Sequence, residues 1–250
     1  MTYMPTSHFG YEPQPNYSRN TNGVQLPFLT SCEHTERRLN KQMIVRQFEA
    51  GDAIQMRGRS QHRVHVILQG TAALSTSLPD GRTQILRLLL PTDLVGRLGS
   101  EIIQYDATAL SLVTTCSFPR LEFEALLRLS PEMTRRLLHK TLAELDEARD
   151  WLLVLGRKTA LEKVASFLLF LDKRCLRNAQ NTLFLPLCQF EMADLLGLTH
   201  ETVSRQMALL RDQGVIHCQG QRRVEIRDLA RLAELSGNDP DQTESPYALQ

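Results

Sequence analysis

The stretch Gln189–Leu210, QFEMADLLGLTHETVSRQMALL, reads as two short helices joined by a tight turn. Met192, Leu195 and Leu196 supply the buried face of the first helix, and Ala193 is small where two helices must approach closely. Gly197 falls where the turn needs a backbone conformation that a side chain would strain. Thr199 is an N-cap for the second helix, predicted over His200–Arg211, and Val203, Met207 and Leu210 give that helix an inward stripe. Any αα-hairpin could share this spacing; the outward face separates the readings. Glu201, Ser204 and Arg205 project together near the helix N-terminus, the end that a helix-turn-helix inserts into the major groove. Arg205 can bond guanine O6 and N7 together, Glu201 can accept from a cytosine amino group, and Ser204 can touch a base edge or a thymine methyl. The bland alternative is a surface ion pair between Glu201 and Arg205.

Outward from this unit the chain supports the same reading. Val215–Gln219, Gly220 and Arg222–Ile226 predict a hairpin, or wing, with Arg222 and Arg223 at its turn. There they can meet phosphate, although two arginines on a turn can also serve solubility alone. Leu183–Pro186 predicts a short strand leading into the module. Upstream, Ser130 and Pro131 open a helix running to about Leu155, with a break at Gly156 and a further helix over Thr159–Cys175. Leu138, Leu145 and Leu152 recur every seven residues, with Thr141, Ala148 and Leu155 as the companion seam. The stripe alone fits either a helix pair holding a homodimer or a helix packed on its own β domain. From Met43 to about Arg120 short strands alternate with turns: Arg63–Gln69, Thr71–Leu78 and Thr83–Leu90, with Asp80-Gly81 as a hairpin turn. This spacing predicts an antiparallel barrel or roll.

Composition narrows the class without deciding it. The 250 residues are 42% hydrophobic, and no run is long and apolar enough to span a bilayer. The Tyr-, Pro- and Asn-rich start resembles a polar tail, not a secretory signal, so a cytoplasmic protein is expected, with no membrane partner. The formal net charge of +1 leaves DNA binding to a local basic face. Cys32, Cys116, Cys175, Cys188 and Cys218 are dispersed with no CxxC pair, which argues against a disulfide framework. No nucleophile–base arrangement, phosphate loop or metal-spaced His/Cys set points to an enzyme or a metal site. The histidines His62, His65, His139 and His200 are assigned to no haem.

Four stretches together resemble the Crp-Fnr superfamily of bacterial regulators: Asp80–Gln84 (DGRTQ), Leu90–Gly96 (LPTDLVG), Leu155–Ala160 (LGRKTA) and Gly197–Gln206 (GLTHETVSRQ). The resemblance spans roughly residues 43–235. It implies an α+β chain with an antiparallel β-roll sensor domain of the cyclic-nucleotide-binding kind over 31–130 and a dimerisation helix over 131–156, after a start whose composition predicts a disordered tail over residues 1–30. A winged helix-turn-helix over 157–235 completes it, and the polar composition beyond Leu235 predicts a disordered tail over 236–250. The resemblance resolves the leucine stripe in favour of a homodimer and adds RNA polymerase as a partner. Thr199, His200, Thr202 and Gln206 join Glu201, Ser204, Arg205, Arg222 and Arg223 as implied DNA-binding residues. Glu201, Ser204 and Arg205 resemble the Fnr and FixK branch, which implies an inverted repeat of TTGAT half-sites and gene control responsive to oxygen or redox state. The alternative is a cyclic-nucleotide-type sensor module serving as the regulatory subunit of an enzyme, which would need neither recognition helix nor wing.

The sensor region departs from two patterns of that superfamily. Cyclic-nucleotide binders carry Gly-Glu-Leu and then Arg about nine residues on; here the stretch is Gly96-Arg97-Leu98, with Ala107 in place of the phosphate-binding Arg. Losing a bidentate phosphate partner argues against cyclic AMP. The four-cysteine iron–sulfur set is also incomplete: Cys116 resembles the family's central ligand, but only Cys32 lies upstream. No cofactor is therefore expected. Cys188, directly before the first helix of the DNA-binding unit, is a candidate redox residue, since a thiol at a helix N-terminus can have a lowered pKa; an inert packed thiol is the other reading.

Overall fold

A computed structural model of the chain describes residues 43–174, 182–220 and 222–238. The expected tail over 1–30, residues 31–42 of the expected sensor domain, Cys32 and Cys175 lie outside the described residues.

Eight strands form the N-terminal domain: β1 (Ile44–Phe48), β2 (Ala53–Gln55), β3 (Arg63–Gln69), β4 (Ala72–Ser77), β5 (Thr83–Leu89), β6 (Leu94–Val95), β7 (Asp106–Ala109) and β8 (Val113–Pro119). They pair antiparallel in two four-stranded sheets, ordered β1-β8-β3-β6 and β2-β7-β4-β5. Ile54, Ile67, Ala72, Leu89, Val95, Ala107 and Val113 fill an apolar core of this roll. Gly70 joins β3 to β4 with φ +87°, and a Cβ there would lie 2.2 Å from the Leu112 carbonyl oxygen, so only glycine fits this crossing.

A helix that the strand pattern did not reveal follows at once: α1 (Arg120–Leu129). Its Phe123 and Leu126 pack with Val64, Val66, Cys116, Phe118 and Met133 into a second core. Then comes α2 (Pro131–Arg157), 27 residues or about 40 Å long, started as expected by the Ser130 hydroxyl accepting from Met133 N–H at 3.3 Å. The expected break at Gly156 does not occur there. The helix runs through Gly156 and ends at Arg157, with Lys158 as its C-cap, because one glycine costs a helix only about 1 kcal/mol while Thr159 starts a new cap.

α3 (Ala160–Lys173) carries a reciprocal capping box: Thr159 N–H donates to Glu162 Oε2 at 2.7 Å, and Glu162 N–H donates to Thr159 Oγ1 at 3.4 Å. The C-terminal module continues with β9 (Thr182–Phe184), α4 (Gln189–Leu196), α5 (His200–Asp212), β10 (Ile216–Cys218), β11 (Arg223–Ile226) and α6 (Leu229–Leu235). The structured module extends past residue 235: Ser236 is fully buried, its carbonyl accepts from Lys158 Nζ at 2.7 Å, and the description continues to Asn238. One apolar core spans both halves of the molecule, since Ala73, Ile85, Leu88 and Leu110 of the roll join Phe167, Leu196, Val203 and Leu210 of the C-terminal module.

Candidate nucleic-acid interface

The recognition helix is built from its inward stripe. Val203, Met207 and Leu210 are buried against Met192, Ala193, Leu195 and Leu196 of α4. The turn between the helices depends on Gly197, which sits in the left-handed region (φ +60°, ψ +42°) as the α4 C-cap. Thr199 then caps α5: its hydroxyl accepts from Thr202 N–H at 3.3 Å and shares a 3.0 Å bond with the Thr202 hydroxyl. Thr199 and Thr202 are thus engaged with each other, which gives them a capping role in the free chain.

The outward side chains are left open. Glu201 and Arg205 are exposed, while Ser204, Gln206 and His200 are half-buried. The surface pair expected as the bland alternative for Glu201 and Arg205 is not formed. Arg205 donates only from Nε, to the Glu201 backbone oxygen at 3.4 Å, and among the described residues its two terminal nitrogens have no partner. The Glu201 carboxylate instead faces His200 Nδ1 at 3.4 Å. Its own backbone N–H, then Thr199 and His200, hold it below the usual carboxylate range, so it stays an acceptor at neutral pH. A guanidinium with a free fork beside an ionised carboxylate suits base edges, which offer acceptors and donors side by side.

Sequence reasoning missed Phe190. It stands 64% exposed on the first turn of α4, stacked on the His200 ring with centroids 4.2 Å apart and planes 9° from parallel. The signal was an aromatic at an outward position of a helix whose inward residues were already assigned.

The wing is larger than the expected hairpin. β10 and β11 pair antiparallel, and β9 adds to β11 as a third strand, Val224 opposite Leu183. Tying the wing to β9 anchors it to the segment that leads into α4. Arg223 is exposed; Arg222 is half-buried and donates from Nη1 to the Pro186 carbonyl at 3.3 Å, so the structure separates the two.

Cys188 is the N-cap of α4, and its N–H donates to Glu191 Oε2 at 2.6 Å. The lowered thiol pKa expected at a helix N-terminus is not found. Burial pushes the thiol up, and the facing Glu191 carboxylate adds to the shift. Cys116 is fully buried in the apolar core beneath α1, and burial pushes its thiol up to about 12. A thiolate ligand there would have to be drawn out of that core. No group of three or more His, Cys, Asp or Glu among the described residues could hold a metal ion.

The loop corresponding to a nucleotide phosphate cassette is fastened from within. The buried Gln61 side chain accepts from Arg97 N–H at 3.0 Å and donates to the Arg97 carbonyl at 2.8 Å. Gly99 N–H donates to Glu124, which also pairs with Arg120 at 2.8 Å. Ala107 is fully buried, and a methyl group offers a phosphate nothing. These residues do not fit a cyclic nucleotide bound in the usual way.

α2 presents an apolar face to solvent. Leu138, Thr141, Leu145, Ala148 and Leu152 of the expected stripe are exposed, and Leu142 and Leu153 widen it; Leu155 is half-buried at its end. No helix among the described residues is long and apolar enough to cross a membrane.

Comparison with known proteins matches two stretches of the chain to family models. Residues 45–130 match the cyclic nucleotide-binding domain family, and residues 162–235 match the Crp-like helix-turn-helix domain family. The chain is 45% identical to the transcriptional activator protein FnrL of Cereibacter sphaeroides, across 78% of this chain and 82% of that protein. It is 34% identical to the nitrogen fixation regulation protein FixK of Bradyrhizobium diazoefficiens, across 85% and 87% respectively. The solved structure of FixK2 from Bradyrhizobium japonicum superposes with a TM-score of 0.74 at 30% identity, covering 79% of this chain and 98% of that one.

Proposed function

This chain belongs to the Crp-Fnr family and is a DNA-binding transcription regulator of the Fnr/FixK type, and from that premise we propose that it reads a TTGAT-like inverted repeat as a homodimer. The observation that carries the reading is the open N-terminal face of α5, where Arg205 and Glu201 are solvent-facing and not paired with each other through their side chains. In the proposed complex Arg205 bonds the half-site guanine, Glu201 accepts from a cytosine, and Ser204 contacts a base edge. Arg223 meets phosphate from the wing, and Arg222 supports it. The exposed leucine face of α2 is the dimer seam, since an apolar stripe of this length is costly to leave in water. Two recognition helices then face successive major grooves, about one DNA turn apart.

The regulator acts in the cytoplasm by contacting RNA polymerase from its site, in gene control linked to oxygen or redox state, and has no enzymatic activity of its own. Cyclic AMP is not its effector, on the fit of Arg97 and Ala107. Fluorescence anisotropy with a TTGAT-N4-ATCAA duplex tests the reading, using aerobic, reduced and anaerobically prepared protein. Tight binding by a dimer, lost when the half-site guanine is changed, is expected. Equal affinity for a scrambled duplex contradicts it. Replacing Leu145 with Asp is expected to give a monomer in sedimentation and to abolish palindrome binding.

A further inference from the structure

Six charged side chains from three parts of the molecule meet beside α2. Arg87 of β5, only 16% exposed in its side chain, reaches Asp93 at 3.2 Å, Glu144 at 2.8 Å and Glu147 at 4.0 Å. Lys140 pairs with Asp93 at 3.0 Å and donates to the Thr92 carbonyl at 2.6 Å, in the turn between β5 and β6 where Thr92 has φ +79°. Arg174, the C-cap of α3, pairs with Glu147. The cluster contains three cations and three carboxylates, so it is neutral as a set and unbalanced by the loss of any one. It joins the roll (Arg87, Asp93), the long helix (Lys140, Glu144, Glu147) and the C-terminal module (Arg174).

The join between α2 and α3 is only Lys158 and Thr159. A link that short could still swing, and a swing there would move the recognition helix through many ångströms. Lateral ties hold it. Besides Arg174 and Glu147, Trp151 of α2 packs edge-on against Phe170 of α3 at 5.6 Å. Gln84 of β5 donates to the Leu195 carbonyl of α4 at 3.0 Å, a bond between residues 111 apart in sequence. Gln84 and Arg87 both belong to β5, so one strand of the roll touches α4 directly and reaches α3 through Glu147.

We infer that Arg87 is a positioning residue for DNA recognition: through Glu147 and Arg174 it holds the DNA-binding module at a fixed angle to the dimer helix, and so sets the spacing between the two recognition helices. The inference rests on the dimer reading above. It explains why a guanidinium lies almost buried on a strand: its three carboxylates come from the turn after its own strand and from the long helix. It also makes the β5 hairpin the part of the roll whose movement reaches DNA.

The test uses full-length wild type, Arg87→Leu, Arg87→Lys and Glu147→Gln, titrated with TTGAT and ATCAA half-sites at the four-base-pair spacer and at spacers one and two base pairs shorter or longer. Sedimentation of each variant accompanies the titrations. Arg87→Leu is expected to remain dimeric, to bind the four-base-pair duplex about tenfold more weakly, and to lose its preference among spacers by a similar factor. Arg87→Lys should recover part of that preference, because a single cation satisfies some of the carboxylates. Wild-type spacing preference in a dimeric Arg87→Leu overturns the inference and leaves the dimer reading standing. If Arg87→Leu fails to fold, Glu147→Gln, which keeps shape and removes the charge held by Arg174, decides it: a weakened preference supports the inference and an unchanged one overturns it. A wild type indifferent to spacing removes the dimer reading and this inference together.

Discussion

The N-terminal turn of the recognition helix and the cluster around Arg87 are both rich in charge, yet they use it in opposite ways. Around Arg87 every cation is matched by a carboxylate of the same chain, and most of the set is shielded from water. On α5 the Arg205 fork and the Glu201 carboxylate are held in water by a capped helix end and are not spent on each other. Matched charge fixes a structure; unmatched charge, held in place, is available to a partner. Formal net charge therefore says little here: 29 basic and 28 acidic residues nearly cancel, and what matters is where they fail to cancel.

Substitutions on the two sides of this comparison should separate stability from recognition. Asp93→Ala removes a carboxylate that holds Arg87 and Lys140 and also accepts from Leu90 N–H at 2.9 Å. Breaking a buried pair from one side is expected to cost about 3–5 kcal/mol in urea unfolding. Arg205→Ala should leave unfolding unchanged and lose roughly 1–3 kcal/mol of discrimination at the half-site guanine, read by competition with a guanine-to-adenine duplex. A stability loss from Arg205→Ala, or none from Asp93→Ala, would break the distinction.

His65 sharpens it as an intermediate case, a buried base near cations. Burial, then Arg46 and Arg63, lower its pKa from 6.5 to about 4, and among the described residues its buried Nδ1 has no hydrogen-bond partner. Because the folded pKa is the lower one, the unfolded chain takes up the proton first as pH falls. Stability is full above pH 6.5 and declines toward pH 4, by about 2 kcal/mol at pH 5. His65→Gln should flatten that acid slope in unfolding titrations. At the small end, Arg231→Ala breaks an exposed pair with Glu234 at 2.6 Å and should change stability by no more than about 0.5 kcal/mol.

How legible each region was in the sequence follows from the range of its interactions. The helix-turn-helix is local: Gly197, the Thr199 cap and the Val203, Met207, Leu210 stripe all act within a few residues, so spacing revealed them. The Leu138, Leu145, Leu152 repeat was legible for the same reason. The Arg87 cluster was not, because it joins positions 87, 93, 140, 144, 147 and 174, and no local pattern marks one Arg as the partner of a distant Glu. Helix α1 was missed because it starts directly after Pro119, at the end of β8, with no polar linker to separate strand from helix. The two readings of the Cys188 thiol stayed open in sequence because helix position was visible there whereas burial and the facing Glu191 were not.

Guanine methylation interference on the TTGAT-N4-ATCAA duplex tests the central claim most directly, because a methyl on N7 blocks the acceptor that the proposed Arg205 contact needs. The account predicts that modifying the guanine of either half-site abolishes binding, symmetrically, and that Arg205→Ala erases this pattern. Binding that tolerates methylation at both guanines, or a pattern unaltered by Arg205→Ala, would contradict it.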